Sequence, residues 1–254
     1  ISAIIASKDV RKAVNTLHEA FFSDGNKQVN VYIAGVGTVG SRLVDQLRNQ
    51  AEHIAEELRL NLRVVGLANS KRALIDNEGV DLEGYRDSLP TASQTNVAEF
   101  TDAILEENLR NSIFVDVTAS AEVVDTYEKL LSKSVAVIAC NKVAASSEYD
   151  RYSGFKSTAR EFGTNFFFET NVGAGLPVIH TLGDLVRSGD RVDRIEAVLS
   201  GTLNFVFNNY DGTRKFAEVV RQAQDEGYTE PDPRLDLSGT DVARKILILA
   251  RESG

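Results

Sequence analysis

The sequence predicts an α/β chain in which a parallel sheet wrapped by helices occupies residues 29–168 and a smaller α+β unit occupies residues 169–254. Three observations predict it. An apolar strand at residue 29 runs directly into a glycine turn and a long helix. Further apolar strands then alternate with helical stretches. After three consecutive phenylalanines, at 166–168, the chain turns through paired glycines into a region that ends in an acidic loop and a helix. Strands alternating with helices give right-handed βαβ units, whose ligands sit beyond the carboxyl ends of the strands.

Composition bounds the rest. A hydrophobic fraction of 43% over 254 residues supports a sizeable core. No apolar run is long enough to span a bilayer and no signal-peptide pattern opens the chain, so the expectation is a soluble, cytoplasmic protein with no membrane partner. The single cysteine, Cys140, has no partner for an internal disulfide, in keeping with a reducing compartment. A net charge of −9 counts against a nucleic-acid partner, since phosphate binding needs clustered Lys and Arg. The chain begins at Ile1 and contains no methionine, so it is expected to be a piece of a longer protein.

Residues 1–28 start with the β-like run ISAIIA, followed by an amphipathic helix with Val10, Ala13, Val14, Leu17 and Phe21 at helical spacing, and close on SDGNK. This piece is too small for a domain and reads as a linker or the tail of a preceding one. VNVYIAGVGTVG, residues 29–40, places Gly35, Gly37 and Gly40 in G-x-G-x-x-G spacing between a strand and the helix SRLVDQLRNQAEHIAEEL. That context is the dinucleotide-binding fingerprint and predicts a Rossmann-type nucleotide-binding domain, with Thr38 and Val39 inside the loop. Gly35 permits the turn, Gly37 lets backbone approach a pyrophosphate, Gly40 packs helix on strand, and the helix N-terminus offers N–H groups to the anion.

The second strand, LRVVGLANS, ends without the acid that grips an unphosphorylated ribose. Asn69, Ser70, Lys71 and Arg72 follow, and a cationic, hydroxyl-bearing turn suits the 2′-phosphate of NADP; a solvated basic turn would look the same. A polar, irregular stretch leads to a helix near 97–108. SIFVDVTAS, 112–120, and VAVIACNK, 135–142, are two more strands. They put Thr118, Ala119, Ser120, Asn141 and Lys142 at the ligand-bearing edge. Cys140 reads as a structural strand cysteine.

FFFETNVGAGLPVIHTL starts as a buried strand, turns, and enters a helix. Glu169, behind three aromatics, is expected to bind a cation or backbone donors. VDRIEAVLSGTLNFVFNNY, 192–210, has strand character followed by a Gly-Thr turn, and FAEVVRQAQDEG is a helix. Residues 227–245 read GYTEPDPRLDLSGTDVARK. Pro231 and Pro233 predict a stiff loop carrying Glu230 and Asp232, with Ser238 or Thr240 capping the final helix. On that helix Val242, Ala243, Ile246, Leu249 and Ala250 make an apolar face, and Leu247 and Ile248 predict a turn buried all round after Lys245. Asp241 and Lys245 are either an exposed i,i+4 pair or, beside the acids Glu230, Asp232 and Asp236, a proton-transfer pair whose lysine is desolvated. His18, His53 and His180 show no metal spacing.

Taken together, VYIAGVGTVGSRL, VVGLANSK, NVGAGLPVI, SGTL and GYTEPDPRLDLSGTDVARK resemble the homoserine dehydrogenases, most of all the dehydrogenase portion of bifunctional aspartokinase–homoserine dehydrogenases. The resemblance runs from about Val29 to Gly254, with 1–28 resembling the end of the preceding regulatory region. It implies an NAD(P)-dependent oxidoreductase that interconverts homoserine and aspartate 4-semialdehyde in the aspartate-derived pathway to threonine and methionine, with a substrate and dimerisation domain after the nucleotide domain. The cofactor would be NADP, or NAD. By position, Tyr228, Glu230, Asp236 and Asp241, with Gly201 and Thr202, would hold the amino acid, Lys245 would transfer the proton with Asp241 orienting it or the substrate, and Lys142 would stand between cofactor and substrate.

Glu169, Val172, Ala174 and Leu176 resemble a sodium or potassium site, the last three through carbonyls. The family's catalytic region continues beyond the position of Gly254, so the resemblance also implies that this chain is incomplete. The whole enzyme would be at least a homodimer. Two other readings stay open: a semialdehyde dehydrogenase using Cys140 as nucleophile, and a non-catalytic nucleotide-sensing module.

Overall fold

A computed structural model gives the fold of residues 2, 4–10, 13, 14, 16, 17, 21, 26–229 and 232–254, with the backbone alone for Lys8. Glu230 and His18 lie outside the described residues. The chain divides into two compact units, Ile1–Phe167 and Phe168–Gly254.

The first unit is a six-stranded sheet: β1 (Lys27–Ala34), β2 (Leu60–Ala68), β3 (Ala73–Ile75), β4 (Ser112–Asp116), β5 (Ala136–Ala139) and β6 (Phe166–Phe167), in the order β3-β2-β1-β4-β5-β6. All pairs are parallel except β2 with β3. The strand order reverses direction at β1, which pairs with both β2 and β4, so the crevice of the sheet opens beyond Ala34 and Asp116. β1 forms because it can be buried on both sides, as a central parallel strand must be; every residue from Val29 to Ala34 is buried.

Its two faces carry different cores. Val29, Val31 and Ile33 pack with Val44, Val64, Leu67 and Val115. On the opposite face Tyr32 begins a chain of edge-on and tilted rings through Phe100, Phe114 and Tyr127 to Phe155 and Phe166, with centroids 5.7 to 6.4 Å apart. Each buried ring contributes roughly 1.5–3 kcal/mol, and each such ring pair about 0.5–1.5 kcal/mol more.

The helices of this unit are α1 (Thr38–Glu57), α2 (Tyr85–Ser88), α3 (Val97–Glu107), α4 (Ala121–Val124), α5 (Tyr127–Leu131), α6 (Lys142–Ala145) and α7 (Tyr149–Glu161). α3 starts where Asn96 and Glu99 form a reciprocal capping box. The stretch expected to be irregular after β2 contains β3 and α2, elements too short to leave a periodic signature. β6 is only two residues long, and Phe167 is exposed rather than buried, because a terminal strand covers one face only. Near the N-terminus, Ser7–Asp9 is a 3-10 turn, and the described residues between 10 and 21 are helical.

In the second unit a 3-10 turn, Glu169–Asn171, precedes α8 (Val178–Arg187), α9 (Gly201–Asn209), α10 (Phe216–Asp225), α11 (Pro233–Leu237) and α12 (Thr240–Glu252). Val206 of α9 and Val219 and Ala223 of α10 form its small core. Residues 191–200 carry no assigned strand, against expectation, since a ladder needs a partner and none is present among the described residues of this unit. Gly201 and Thr202 are not a turn but the first residues of α9, whose N-cap Ser200 accepts a hydrogen bond from the Leu203 N–H at 3.1 Å.

Candidate functional site

The glycine turn owes its shape to contacts that exclude side chains. Gly35 has φ +97°, and a Cβ there would lie 2.7 Å from the Val117 carbonyl; a Cβ on Gly40 would lie 1.8 Å from the Gly35 carbonyl. Around Gly37 nothing lies within 4 Å of such a position, so the turn leaves open space directly at the N-terminus of α1. Two cavities adjoin it. One, of about 280 Å³, is lined by Gly35, Asn69, Ser70, Thr118, Ala119 and Ser120 among others. The other, of about 560 Å³, is lined by Gly37, Thr38, Asn69, Arg86 and Pro90. Asn69 borders both. A helix N-terminus, a turn with no side chains in its opening and adjoining cavities at the switch point fit a dinucleotide with its pyrophosphate at Gly37.

Of the other expected cofactor residues, Val39 is exposed, and neither Lys71 nor Arg72 lines either cavity. Their N–H groups both donate to the Asn69 carboxamide oxygen, at 2.8 and 2.9 Å, and the Arg72 guanidinium donates to the Ala92 carbonyl. This Asx-type turn fixes the backbone that follows β2, and the Arg72 side chain is engaged at Ala92.

A fully buried carboxylate, Asp116, holds the rest of the edge together. It accepts the Tyr127 hydroxyl at 2.6 Å, the Asn141 amide at 3.0 Å and the Thr118 N–H at 2.7 Å. Asn141 also donates to the Ser120 carbonyl at 2.9 Å and caps α6 by accepting from the Val143 N–H at 3.1 Å. The turn 118–120 that lines the first cavity and the helix that begins at Lys142 are therefore fixed by one network. Cys140 is a half-buried free thiol, and its N–H donates to the Asp116 carbonyl at 2.8 Å.

In the second unit, Thr202 is buried, and its hydroxyl bridges the Tyr228 carbonyl and the Asp236 carboxylate, the latter at 3.0 Å. The Tyr228 ring stacks on Phe205 at 4.4 Å. Lys245 Nζ donates to the Leu199 carbonyl at 2.8 Å and pairs with Asp241 at 2.7 Å. Its side chain is 19% exposed, against 52% for Asp241. Thr202, Tyr228 and Asp236 thus form one bonded group and Asp241 and Lys245 another, joined through the segment 199–202 that contains Gly201.

Three details differ from expectation. Only Ile248 and Leu249 are buried in the turn after Lys245, while Ile246 and Leu247 are exposed, because α12 packs one side against α8. Gly239, in a left-handed conformation, is the N-cap of α12. Pro233 opens the short helix α11, as a proline at the first helical position can, and Asp232 caps it by accepting the Arg234 N–H at 3.1 Å. The Arg234 guanidinium beside Asp232 holds that carboxyl below the usual carboxylate range.

Glu169 finds backbone donors: its two carboxylate oxygens accept the N–H groups of Ile179 and His180 at 2.9 and 2.8 Å, in the first turn of α8. Each Glu169 oxygen thereby accepts one N–H and keeps further lone-pair capacity, and Val172, Ala174 and Leu176 follow it in the chain. Among the described residues no group of three or more His, Cys, Asp or Glu side chains could hold a metal ion. No helix among them is long and apolar enough to cross a membrane. Sequence reasoning missed Tyr127, Arg86 and the capping box at Asn96; only the last leaves a local signal, an Asn followed three residues later by Glu.

These features define a dinucleotide-binding α/β domain followed in the chain by a helical unit that carries a lysine and several acids. Residues 35–169 match the family model described as homoserine dehydrogenase, NAD binding domain, and residues 177–254 match that of homoserine dehydrogenase. The chain belongs to the homoserine dehydrogenase family. It is 42% identical over its whole length to bifunctional aspartokinase/homoserine dehydrogenase 2, chloroplastic, of Arabidopsis thaliana, covering 28% of that protein. It is 38% identical to the bifunctional aspartokinase/homoserine dehydrogenase of Haemophilus influenzae, covering 31% of it.

The chain therefore spans under a third of the length of these relatives. Among solved structures, a Candida auris protein of unknown function is 37% identical, with a TM-score of 0.78 over 90% of this chain and 64% of the other. A hyperthermophilic archaeal homoserine dehydrogenase in complex with NADPH is 25% identical, with a TM-score of 0.74 over 89% of this chain and 70% of the other.

Proposed function

We propose that the protein of which this chain forms part is an NAD(P)-dependent homoserine dehydrogenase that interconverts L-homoserine and L-aspartate 4-semialdehyde. The observation that carries this reading is the Lys245–Asp241 pair, docked on the Leu199 carbonyl next to the Thr202–Asp236–Tyr228 group, in a chain whose first unit has the glycine turn and cavities of a dinucleotide site. An alcohol that loses a hydride must also lose its hydroxyl proton, and Lys245 is the base for that proton, with Asp241 orienting it. Asp236, Glu230 and Tyr228 hold the amino acid, carboxylates being the partners an ammonium group requires.

The bound nicotinamide supplies the redox step by taking up or giving back the hydride. Gly35, Gly37, Thr38, Gly40, Thr118, Ala119 and Ser120 hold that cofactor, and Lys142 stands towards the substrate. A sodium or potassium ion sits at Glu169 and the carbonyls of Val172, Ala174 and Leu176. The enzyme works in the cytoplasm as at least a homodimer, in the pathway to threonine and methionine.

The test is homoserine-dependent reduction of NADP⁺ and NAD⁺, followed by absorbance. Turnover that requires homoserine, and survives alkylation of Cys140, is the expected result. Turnover abolished by alkylation would favour an aldehyde dehydrogenase with a cysteine nucleophile, and cofactor binding indifferent to homoserine would favour a nucleotide sensor.

A further inference from the structure

We propose that Asn141 is the positioning residue for Lys142: its one carboxamide ties the 118–120 turn to the start of α6, so that turn and lysine keep a fixed relation. The inference deepens the functional reading above and rests on it for the role of Lys142. Asn141 is 2% exposed and lines neither cavity beside the glycine turn, so it acts through its neighbours rather than on a ligand. Its amide donates to Asp116 at 3.0 Å and to the Ser120 carbonyl at 2.9 Å, which occupies both N–H bonds. Its oxygen accepts the Val143 N–H at 3.1 Å, in the first turn of α6.

The chemistry of the position calls for a carboxamide. Two oxygens face the amide nitrogen and one N–H faces the amide oxygen. An aspartate has the same shape but would set lone pairs against a carboxylate and a carbonyl, and a serine could cap α6 but offers one O–H in place of two N–H donors. The anchor is stiff, because Asp116 is fully buried and is also held by the Tyr127 hydroxyl at 2.6 Å and the Thr118 N–H at 2.7 Å. Lys142 is half-buried and follows directly; its carbonyl accepts the Ser146 N–H at 3.0 Å and the Ser146 hydroxyl at 2.7 Å. The lysine's backbone is thus held from both sides, and Asn141 is the side that answers to the turn lining the cavity.

The test has two arms. Asn141→Ser, with Asn141→Thr as a second variant, keeps an acceptor for the Val143 N–H and loses the paired donations. Tyr127→Phe is the comparison, since it removes a different donor from Asp116 and leaves both donations of Asn141 in place. In the first arm this chain is treated with limiting acetic anhydride, and acetylation of Lys142 is followed by peptide mass spectrometry, with thermal unfolding and NADPH fluorescence as checks on the fold and the cavity. Asn141→Ser should speed acetylation of Lys142 about three- to thirty-fold, the scale of one or two lost hydrogen bonds. Tyr127→Phe should lower the unfolding temperature and leave the Lys142 rate in place.

In the second arm, in the form of the protein that turns homoserine over, Asn141→Ser should lower kcat about ten- to a hundred-fold, the scale of a misplacement of roughly 1 Å. It should add nothing to the loss seen in Lys142→Met, because the two residues act as one. Losses that multiply in the double variant, or a Lys142 acetylation rate that Asn141→Ser leaves unmoved or Tyr127→Phe moves equally, would overturn the assignment. A parent without homoserine-dependent turnover would overturn the functional reading, and the acetylation arm would still decide whether Asn141 places Lys142.

Discussion

Asp116 shows how a single residue can fix several parts of a site. A carboxylate with no exposure to solvent is costly unless its lone pairs are met, and here the donors come from β4's own turn, from Tyr127 and from Asn141. Burial pushes the Tyr127 phenol above its ordinary value of 10.0, and the neighbouring Asp116 charge pushes it further. The sign of the linkage follows: folded Tyr127 keeps its proton where an unfolded tyrosine loses it, so this contribution to stability is complete below pH 10.0 and is lost as pH rises beyond it. Tyr127→Phe should cost about 1–3 kcal/mol at neutral pH by leaving a buried acceptor short of a donor. It should also flatten the alkaline fall in stability. Denaturant unfolding across that range checks both, and a variant matching the parent in midpoint and slope would show that the contact carries no weight.

At the scale of elements, α8 depends on a residue outside it. Proline at its N-cap position offers no side-chain acceptor, and Glu169 supplies one by reaching two of the free N–H groups of the first turn, where a negative charge is favoured by the helix dipole. Glu169→Ala should lower stability by about 1–2 kcal/mol, the cost of a lost cap, whichever monovalent salt is present. The proposed ion makes a separate prediction: the parent should unfold at different temperatures in sodium, potassium and tetramethylammonium chloride. An indifferent parent would remove the ion, and a Glu169→Ala protein as stable as the parent would remove the cap.

The same scale separates what the sequence made legible from what it hid. β1, β2, β4, β5, α1 and α3 announce themselves by long apolar runs or helical spacing, and the glycine turn does so because Gly35 and Gly40 answer local steric demands while Gly37 keeps its opening clear. β3 and α2 are too short to be periodic. Arg86 was hidden for a different reason: it lines the cavity beside the glycine turn from a separate element, and only the tertiary fold brings it there. The lysine and acid on α12 were legible as an i,i+4 pair, whereas the docking of Lys245 on Leu199, far away in sequence, was not.

At the scale of the whole molecule, the glycine turn lies in the first unit and the Lys245–Asp241 pair in the second, so the proposed role of Lys245 can be tested separately from cofactor binding. In the proposed reaction Lys245 enters homoserine oxidation as the neutral amine, takes the hydroxyl proton to become the ammonium, and returns that proton on reduction. Asp241, at 2.7 Å, keeps the amino group oriented, and the Leu199 carbonyl is an acceptor for its N–H at 2.8 Å. Lys142 competes for the same proton, being at the ligand-bearing edge of the sheet at the start of α6. In the form of the protein that turns homoserine over, Lys245→Met should lower kcat by about 10² to 10⁴, the usual scale for a lost acid–base group, with the cofactor Kd unchanged. Asp241→Asn should lower kcat by less, because it disturbs orientation and leaves the amine in place. Near-normal turnover in Lys245→Met, alongside a dead Lys142→Met protein that still binds cofactor, would transfer the proton to Lys142 and leave Lys245 as a substrate-holding residue.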